Sequence, residues 1–346
     1  GGRVMRVGML TGGGDCPGLN AVIRAVVRKG ERRHGDRVIG FIDGWRGVVD
    51  DDWVQLDVDA CRGLLPKGGT VLGTSRHTPF SLPDGMSRAT ETIRGLELDA
   101  LIAIGGEGTL SCASEMADRG FEIVGVPKTI DNDVGMTERT FGFDTAVTVA
   151  TEAIDRLHTT AESHARVIFV EVMGRNVGHI ATWAGIAGGA TYTLVPEEPF
   201  DLDDLCDALM RRRARGRYAS IVVVAEGARP KPGTLEVAEP PVDAYGHKRL
   251  GGIATVIAAE VEARTGLETR VTILGHVQRG GSPTPFDRVL ATRFGVAAID
   301  AVHDGRFGQM VALRGGAIEL VSLREATARP KPVGTELLDV AHTFFA

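Results

Sequence analysis

Short apolar runs separated by longer amphipathic stretches recur along the chain. That alternation predicts parallel sheets covered by helices on both faces. The runs Arg6–Leu10, Arg37–Phe41, Ala100–Ile104, Glu122–Val126, Arg166–Val172, Tyr192–Val195, Ser220–Ala225, Arg270–Leu274 and Gln309–Leu313 read as strands, with helices filling the gaps. The clearest helical period spans Asp144–Ser163, where Ala146, Val149, Ala150, Ala153, Ile154 and Leu157 share a face and Asp144 is the expected N-cap. Arg229–Arg249, rich in proline, glycine and charge, reads as a surface loop.

Functional turns in such sheets lie at the carboxyl ends of strands. Thr11–Asp15, Gly105–Thr109 and Pro127–Asp133 follow strands in the first part of the chain; Met173–Arg175, Glu226–Gly227 and Gly275–Gly281 follow strands in the second. Two such sets predict two lobes facing one cleft.

Composition narrows the class. At 346 residues the chain is long enough for two α/β domains, and 46 glycines fit many tight turns and close approaches of backbone to ligand. A net charge of -6 argues against a protein held on nucleic acid by phosphate neutralisation, yet leaves room for a local arginine cluster that binds small anions. Cys16, Cys61, Cys112 and Cys206 form no CxxC pair, which argues against a disulfide scaffold or a thiolate zinc site. No apolar run reaches membrane-spanning length, the start at Gly1–Val4 does not read as a signal peptide, Gly1–Gly2 read as a remnant ahead of Met5, and the cytoplasm is the expected location.

Several loops carry candidate chemistry. Glycines at Gly12–Gly18 let backbone N–H groups approach a phosphate, although a simple tight turn has the same composition and no Walker A sequence is present. Gly105–Thr109 adds an acid: Glu107 suits Mg²⁺, directly or through water, or alternatively caps the helix that begins near Thr109. Asp131 and Asp133 stand two apart after a strand, so both can face one ligand, or they form an ordinary Asx turn. Phosphoryl transfer to an alcohol needs a proton acceptor, a metal and cations on the moving group. Asp131 suits the first role and Asp133 an outer-shell metal or orienting role. Arg76, Arg166, Arg175, Arg270 and Arg279 stand at strand-end turns or strand starts, and guanidinium holds phosphate bidentately. Together they fit two phosphate positions, although each alone reads as a solvated charge. Arg211–Arg213 reads as a solvated helix face, and the spacing of His158 and His164 does not match a helical zinc pair.

Five runs, Gly13–Asn20 (GGDCPGLN), Gly105–Thr109 (GGEGT), Pro127–Asp133 (PKTIDND), Glu171–Arg175 (EVMGR) and Gly275–Pro283 (GHVQRGGSP), match the phosphofructokinase family in order and spacing. The resemblance runs from about Met5 to about Leu313 and is similar to the actinobacterial branch that contains ATP- and pyrophosphate-dependent members. It implies an α/β fold of two Rossmann-like three-layer lobes with mostly parallel sheets facing one active-site cleft. The expected donor-binding lobe is 5–142 plus 278–328, and the expected fructose 6-phosphate lobe is 143–277 plus 329–346. Asp131 resembles the base that takes the sugar 1-hydroxyl proton, Thr129 and Asp133 its transition-state neighbours, and Arg175 the arginine on the transferring phosphoryl. Gly14, Arg76, Gly106, Gly108, Thr109 and Lys128 resemble donor contacts, with Glu107 the acid associated with Mg²⁺. Met173, Gly174, Glu226, His276 and Arg279, with Thr129, Asp131 and Arg175, resemble the sugar-phosphate site. Arg166 and Arg270 resemble arginines reaching the 6-phosphate from a neighbouring subunit, which implies a homodimer or homotetramer.

The family's donor choice is associated with positions 108 and 128. An acid at 108 would put bulk and negative charge where the nucleotide's α-phosphate passes. Gly108 leaves that space open, so ATP is expected over pyrophosphate, while Lys128 is compatible with either. Glu107 stands where Asp is more usual, and Cys112 where a small glycine is common near the nucleoside. Arg24 and Arg28 match basic effector-site positions, but Thr191, His158 and Val58 replace other members of that site, implying a weak or altered response to ADP and phosphoenolpyruvate. A kinase of the NAD- or lipid-kinase type shares the GGDGT-like loop but does not account for Thr129–Asp133 or His276–Arg279. A non-catalytic metabolite sensor on the same scaffold is the alternative of another class, against which Asp131 and Arg175 both speak.

Overall fold

A computed structural model describes residues 3–345; the reading of Gly1–Gly2 and the terminal Ala346 lie outside them. Twelve strands are present among the described residues: β1 (Arg6–Thr11), β2 (Arg37–Phe41), β3 (Trp53–Leu56), β4 (Ala100–Gly105), β5 (Ile123–Thr129), β6 (Phe141–Gly142), β7 (Val167–Val172), β8 (Tyr192–Leu194), β9 (Ser220–Ala225), β10 (Thr269–Ile273), β11 (Gln309–Arg314) and β12 (Ala317–Ser322). The chain divides into two compact units, Gly1–Thr145 with Arg279–Pro330, and Ala146–Gln278 with Lys331–Ala346.

The sheet of the first unit has the order β12-β11-β5-β4-β1-β2-β3, with β6 beside β5. Its interior pairings are parallel, and the outer pairs β2–β3 and β11–β12 are antiparallel. The sheet of the second unit, β10-β7-β9-β8, is parallel throughout. Parallel strands covered on both faces read as continuous apolar runs, and β4, β7 and β9 are buried at every position. Leu10, Phe41, Trp45, Leu110, Met116 and Met310 share one core in the first unit. Phe169, Leu194, Leu205, Val222, Ile257 and Val261 share one in the second. Each such side chain contributes about 1.5–3 kcal/mol by leaving water.

Glu171 interrupts the apolar run of β7. Its buried carboxylate accepts the N–H groups of Gly252 at 2.8 Å and Ala254 at 3.0 Å, so it caps the helix Ile253–Thr265 from another element. Asp144 is not the N-cap of its helix. That helix spans Phe143–His164, and Asp144, in its first turn, accepts a hydrogen bond from Thr284 Oγ1 at 2.7 Å. All four cysteines are free and buried, and burial pushes every thiol up, that of Cys61 to about 11. No helix among the described residues is long and apolar enough to cross a membrane.

Asp287, 0% exposed in the first turn of the helix Pro285–His303, holds the segment that leaves β6. Its Oδ2 accepts from Thr145 N at 2.8 Å and Thr145 Oγ1 at 2.6 Å, while Oδ1 has no partner. Burial raises its pKa from 3.8 to about 6 against the hydrogen bonds from Thr145 and Gly142, with Asp144 adding to the rise. The folded chain therefore holds this proton more tightly than the unfolded chain. The stability contributed by the neutral form is complete below the unfolded value and is lost as pH rises through the folded one. Urea unfolding should show stability falling between about pH 4 and 6 by on the order of 2 kcal/mol more in the parent than in Asp287→Asn. Equal pH slopes for the two proteins would contradict this.

Candidate active site

In the first unit, β1, β4 and β5 are parallel neighbours, so their carboxyl ends deliver three loops to one edge of the sheet. The strand order reverses between β1 and β4, the usual place for a ligand in such sheets.

The loop after β1 is pinned by its backbone: Gly12 N–H donates to Ile104 at 2.9 Å and Gly13 N–H to Ser75 at 3.0 Å. The second bond ties the segment ahead of Arg76, an exposed side chain, against the glycine loop. Buried Thr109 fills the space between the first two loops. A Cβ on Gly12 would stand 2.3 Å from Thr109 Oγ1, and one on Gly105 2.3 Å from Thr109 Cβ. Arg279 packs over Gly14, where a Cβ would stand 2.3 Å from Nη1, and the same nitrogen donates to the Asp15 carbonyl at 3.4 Å. Lys128, 2% exposed, donates from Nζ to the Gly14 carbonyl. Burial lowers the pKa of this ammonium, opposed by Cys16, Asp131 and Asp15.

The loop after β4 turns directly into the helix Glu107–Asp118, whose N-cap, Gly106, offers no side-chain hydrogen bond. Backbone donors of such a first turn suit an anion. Glu107 lies within the helix, in its exposed first turn, rather than acting as its cap. Next to it, nothing lies within 4 Å of where a Cβ on Gly108 would be. Cys112, one turn further on, is packed into the core.

The loop after β5 is held by its own polar groups. Asp131 N–H donates to Thr129 Oγ1 at 3.0 Å, and Thr140 Oγ1 donates to the Thr129 carbonyl at 2.7 Å. Asn132, at φ 55°, accepts from Thr140 N at 3.0 Å. Asn tolerates the left-handed region that this turn requires. The result is a carboxylate, Asp131, 5% exposed, whose Oδ1 has no hydrogen-bond partner. Asp133 is half-buried two residues on. An oxygen withheld from water with its lone pairs unused is placed to accept a proton.

The second unit gathers Met173, Gly174, Arg175 and Glu226. Glu226 Oε1 accepts from Gly174 N at 3.2 Å and Arg175 N at 2.9 Å, holding Arg175 at φ 54°. His276 is exposed in the 3-10 turn Gly275–Gln278 at the end of β10. Arg166 and Arg270 are not brought together with these groups. Arg166 precedes β7 and Met173 follows it, roughly 20 Å along a six-residue strand. Both arginines instead meet one oxygen, Glu268 Oε1, at 2.8 and 2.6 Å. Arg166 Nε is buried without a partner. In the first unit, Arg24 and Arg28 line a separate pocket with Val58, Cys61 and Arg62.

Sequence reading gave no role to Glu268, Gln278, Asn132 or Thr140. Gln278 and Asn132 carry a signal, since they lie inside the Gly275–Gly281 and Pro127–Asp133 runs. The others act through partners that their spacing does not reveal.

The family profile described as Phosphofructokinase matches residues 6–302. An ATP-dependent 6-phosphofructokinase 3 of Streptomyces coelicolor is 58% identical over 95% of this chain and 96% of that protein. A pyrophosphate–fructose 6-phosphate 1-phosphotransferase of the same organism is 57% identical over 99% of this chain and 100% of that one. Among solved structures, phosphofructokinase from Saccharomyces cerevisiae superposes with a TM-score of 0.82 at 30% identity, over 98% of this chain and 50% of that one. A pyrophosphate-dependent phosphofructokinase from Marinobacter aquaeolei, at 21% identity over 99% of this chain and 92% of that one, shares the fold with a TM-score of 0.82.

The packing around Thr109 separates two neighbouring glycines. Gly105→Ala should lower stability by about 1–3 kcal/mol, because a short buried side chain cannot move aside. Gly108→Ala should leave it unchanged or raise it by up to ~1 kcal/mol. Urea unfolding of both variants checks the contrast, and equal losses would refute it.

Proposed function

The chain belongs to the phosphofructokinase family, and from that premise we propose that it is an ATP-dependent 6-phosphofructokinase. It transfers the γ-phosphoryl of Mg-ATP to the 1-hydroxyl of fructose 6-phosphate, giving fructose 1,6-bisphosphate. The observation that carries this reading is the buried Asp131 carboxylate with its unpartnered Oδ1. An oxygen of that kind typically costs about 1–3 kcal/mol, and a substrate hydroxyl that donates to it removes the cost while placing its proton for transfer.

Asp131 accepts the 1-hydroxyl proton as the sugar oxygen attacks the phosphoryl group. Thr129 holds the turn beneath it, and Asp133 orients the reacting groups. Arg175 bears on the phosphoryl as charge moves to the leaving oxygen. Donor phosphates are held by the loops of Gly14 and of Gly106, Gly108 and Thr109, with Arg76 and Lys128 supplying positive charge. The sugar phosphate is held by Met173, Gly174, Glu226, His276 and Arg279. Exposed Glu107, a single hard oxygen donor in the first turn of its helix, fits Mg²⁺, which takes one or two carboxylates and completes its shell with phosphate oxygens and water. Bound there, the ion would neutralise charge on the donor phosphates.

Relatives of nearly equal identity carry names with either donor, so the choice of ATP rests on position 108. The open space at Gly108 supports it, because an acid there would meet the nucleotide's α-phosphate. The reading includes a cytoplasmic homodimer or homotetramer in which Arg166 and Arg270 serve the 6-phosphate of a neighbouring subunit.

Asp131→Asn should lower kcat by roughly 10²–10⁴-fold and leave both KM values within a few-fold; unchanged turnover would remove Asp131 from the base role. Coupled assays should show turnover with Mg-ATP and little with pyrophosphate, and Gly108→Asp should depress the ATP reaction. The opposite donor preference would make this chain a pyrophosphate-dependent enzyme.

A further inference from the structure

Three successive backbone N–H groups at the exit of β7 are claimed by side chains from the segments that follow β9 and β10. Glu226 takes those of Gly174 and Arg175. The first, Met173 N–H, donates at 3.2 Å to Gln278 Oε1. The other end of the same amide, Gln278 Nε2, donates at 3.0 Å to the Gly275 carbonyl. Gln278 is 0% exposed, so water does not compete for either bond. Its orientation is set as well, because turning the amide over would face N–H against N–H and oxygen against oxygen.

The loops being held run through positive φ, which glycine adopts freely and Arg175 does not. Gly174 lies at φ 143°, Arg175 at φ 54° and Gly275 at φ 57°. A non-glycine residue such as Arg175 held in that region persists only where its surroundings over-determine it, here the Glu226 carboxylate on its N–H. The 3-10 turn has one buried anchor, Gln278, while His276 stays exposed and Val277 is 61% exposed. An aliphatic side chain left that open shows that the turn is not shaped by apolar packing at its tip. The β7–β10 ladder joins the two segments as far as Glu171 and Ile273, with Leu274 N–H donating to the Glu171 carbonyl at 3.1 Å; beyond it, one side-chain amide ties the Met173 loop to the His276 turn.

We infer that Gln278 is a positioning residue for sugar-phosphate binding: its buried amide locks the loop of Met173 to the turn of His276, so that both present to the same substrate. This rests on the reading above that Met173 and His276 hold the sugar phosphate. Gln278 does not touch the substrate. A neutral side chain of similar volume that lacks the amide should leave the fold intact and loosen the register of the two segments. Affinity for fructose 6-phosphate should then suffer, while affinity for the phosphoryl donor should not.

The test is steady-state kinetics of the full chain with fructose 6-phosphate and whichever donor it uses. Gln278→Met should raise the KM for fructose 6-phosphate at least ten-fold, lower kcat less than three-fold and leave the donor KM within two-fold. Gln278→Glu keeps an acceptor for Met173 N–H but opposes the Gly275 carbonyl with a buried charge, and should bind the sugar at least as poorly. Should Gln278→Met melt below the assay temperature, Gln278→Asn, whose shorter amide cannot span both partners, carries the same criterion. A KM for fructose 6-phosphate within two-fold of the parent, with any loss confined to kcat or Tm, would overturn the inference and leave a structural role only. His276→Ala separates the two levels. If it raises that KM while Gln278→Met does not, Gln278 alone is misassigned. If neither does, the sugar-phosphate reading of the turn fails and the inference falls with it.

Discussion

A carboxylate oxygen buried without a donor is a standing cost, and the first unit is arranged so that Asp131 can bear it. The turn that carries Asp131 has no slack. Thr129 fixes its N–H, Thr140 closes on the Thr129 carbonyl, and Asn132 accepts the left-handed conformation that turns the chain. Loosening any of these would let Asp131 swing towards water and relieve the strain. Its position just past the carboxyl end of β5 follows from the same parallel order that brings both glycine loops to one edge. Buried Lys128, bonded to the Gly14 carbonyl, ties the third loop back to the first.

The second unit meets a similar demand differently. Its exit loop is governed by side chains from the segments that follow the neighbouring strands rather than by its own turn chemistry. Glu226 and Gln278 act where Thr129 and Asn132 act in the first unit. Glu171 extends the pattern, since a carboxylate buried in β7 supplies the cap that the Gly252 terminus of a neighbouring helix lacks. Glu171, Glu226 and Gln278 therefore each join elements distant in sequence.

That difference decides what the sequence discloses. All nine apolar runs are strands, because parallel strands covered on both faces leave an unbroken signature. The strands not foreseen lack one. In β3, Trp53 and Val54 are 38% and 42% exposed at an edge, β12 is a half-exposed edge partner, and β6 has two residues. Asp144 looked like a cap because it precedes the periodic residues, but buried Phe143 starts the helix one position earlier and Thr284, 140 residues away, takes the carboxylate. The loops of the candidate site were visible as glycines and acids after apolar runs. The orphaned oxygen of Asp131, the amide bridge of Gln278 and the shared oxygen of Glu268 were not, because each depends on which groups meet in space.

The four cysteines give the molecule a property unrelated to catalysis. Each thiol lies behind packed side chains and is further disarmed by its surroundings. An alkylating reagent added to the native chain thus finds no ready target, and its slow uptake counts excursions in which a segment lifts away. Cys16, Cys61 and Cys112 belong to one compact unit and Cys206 to the other, so the sites that become labelled tell which unit opened, with no engineered reporter.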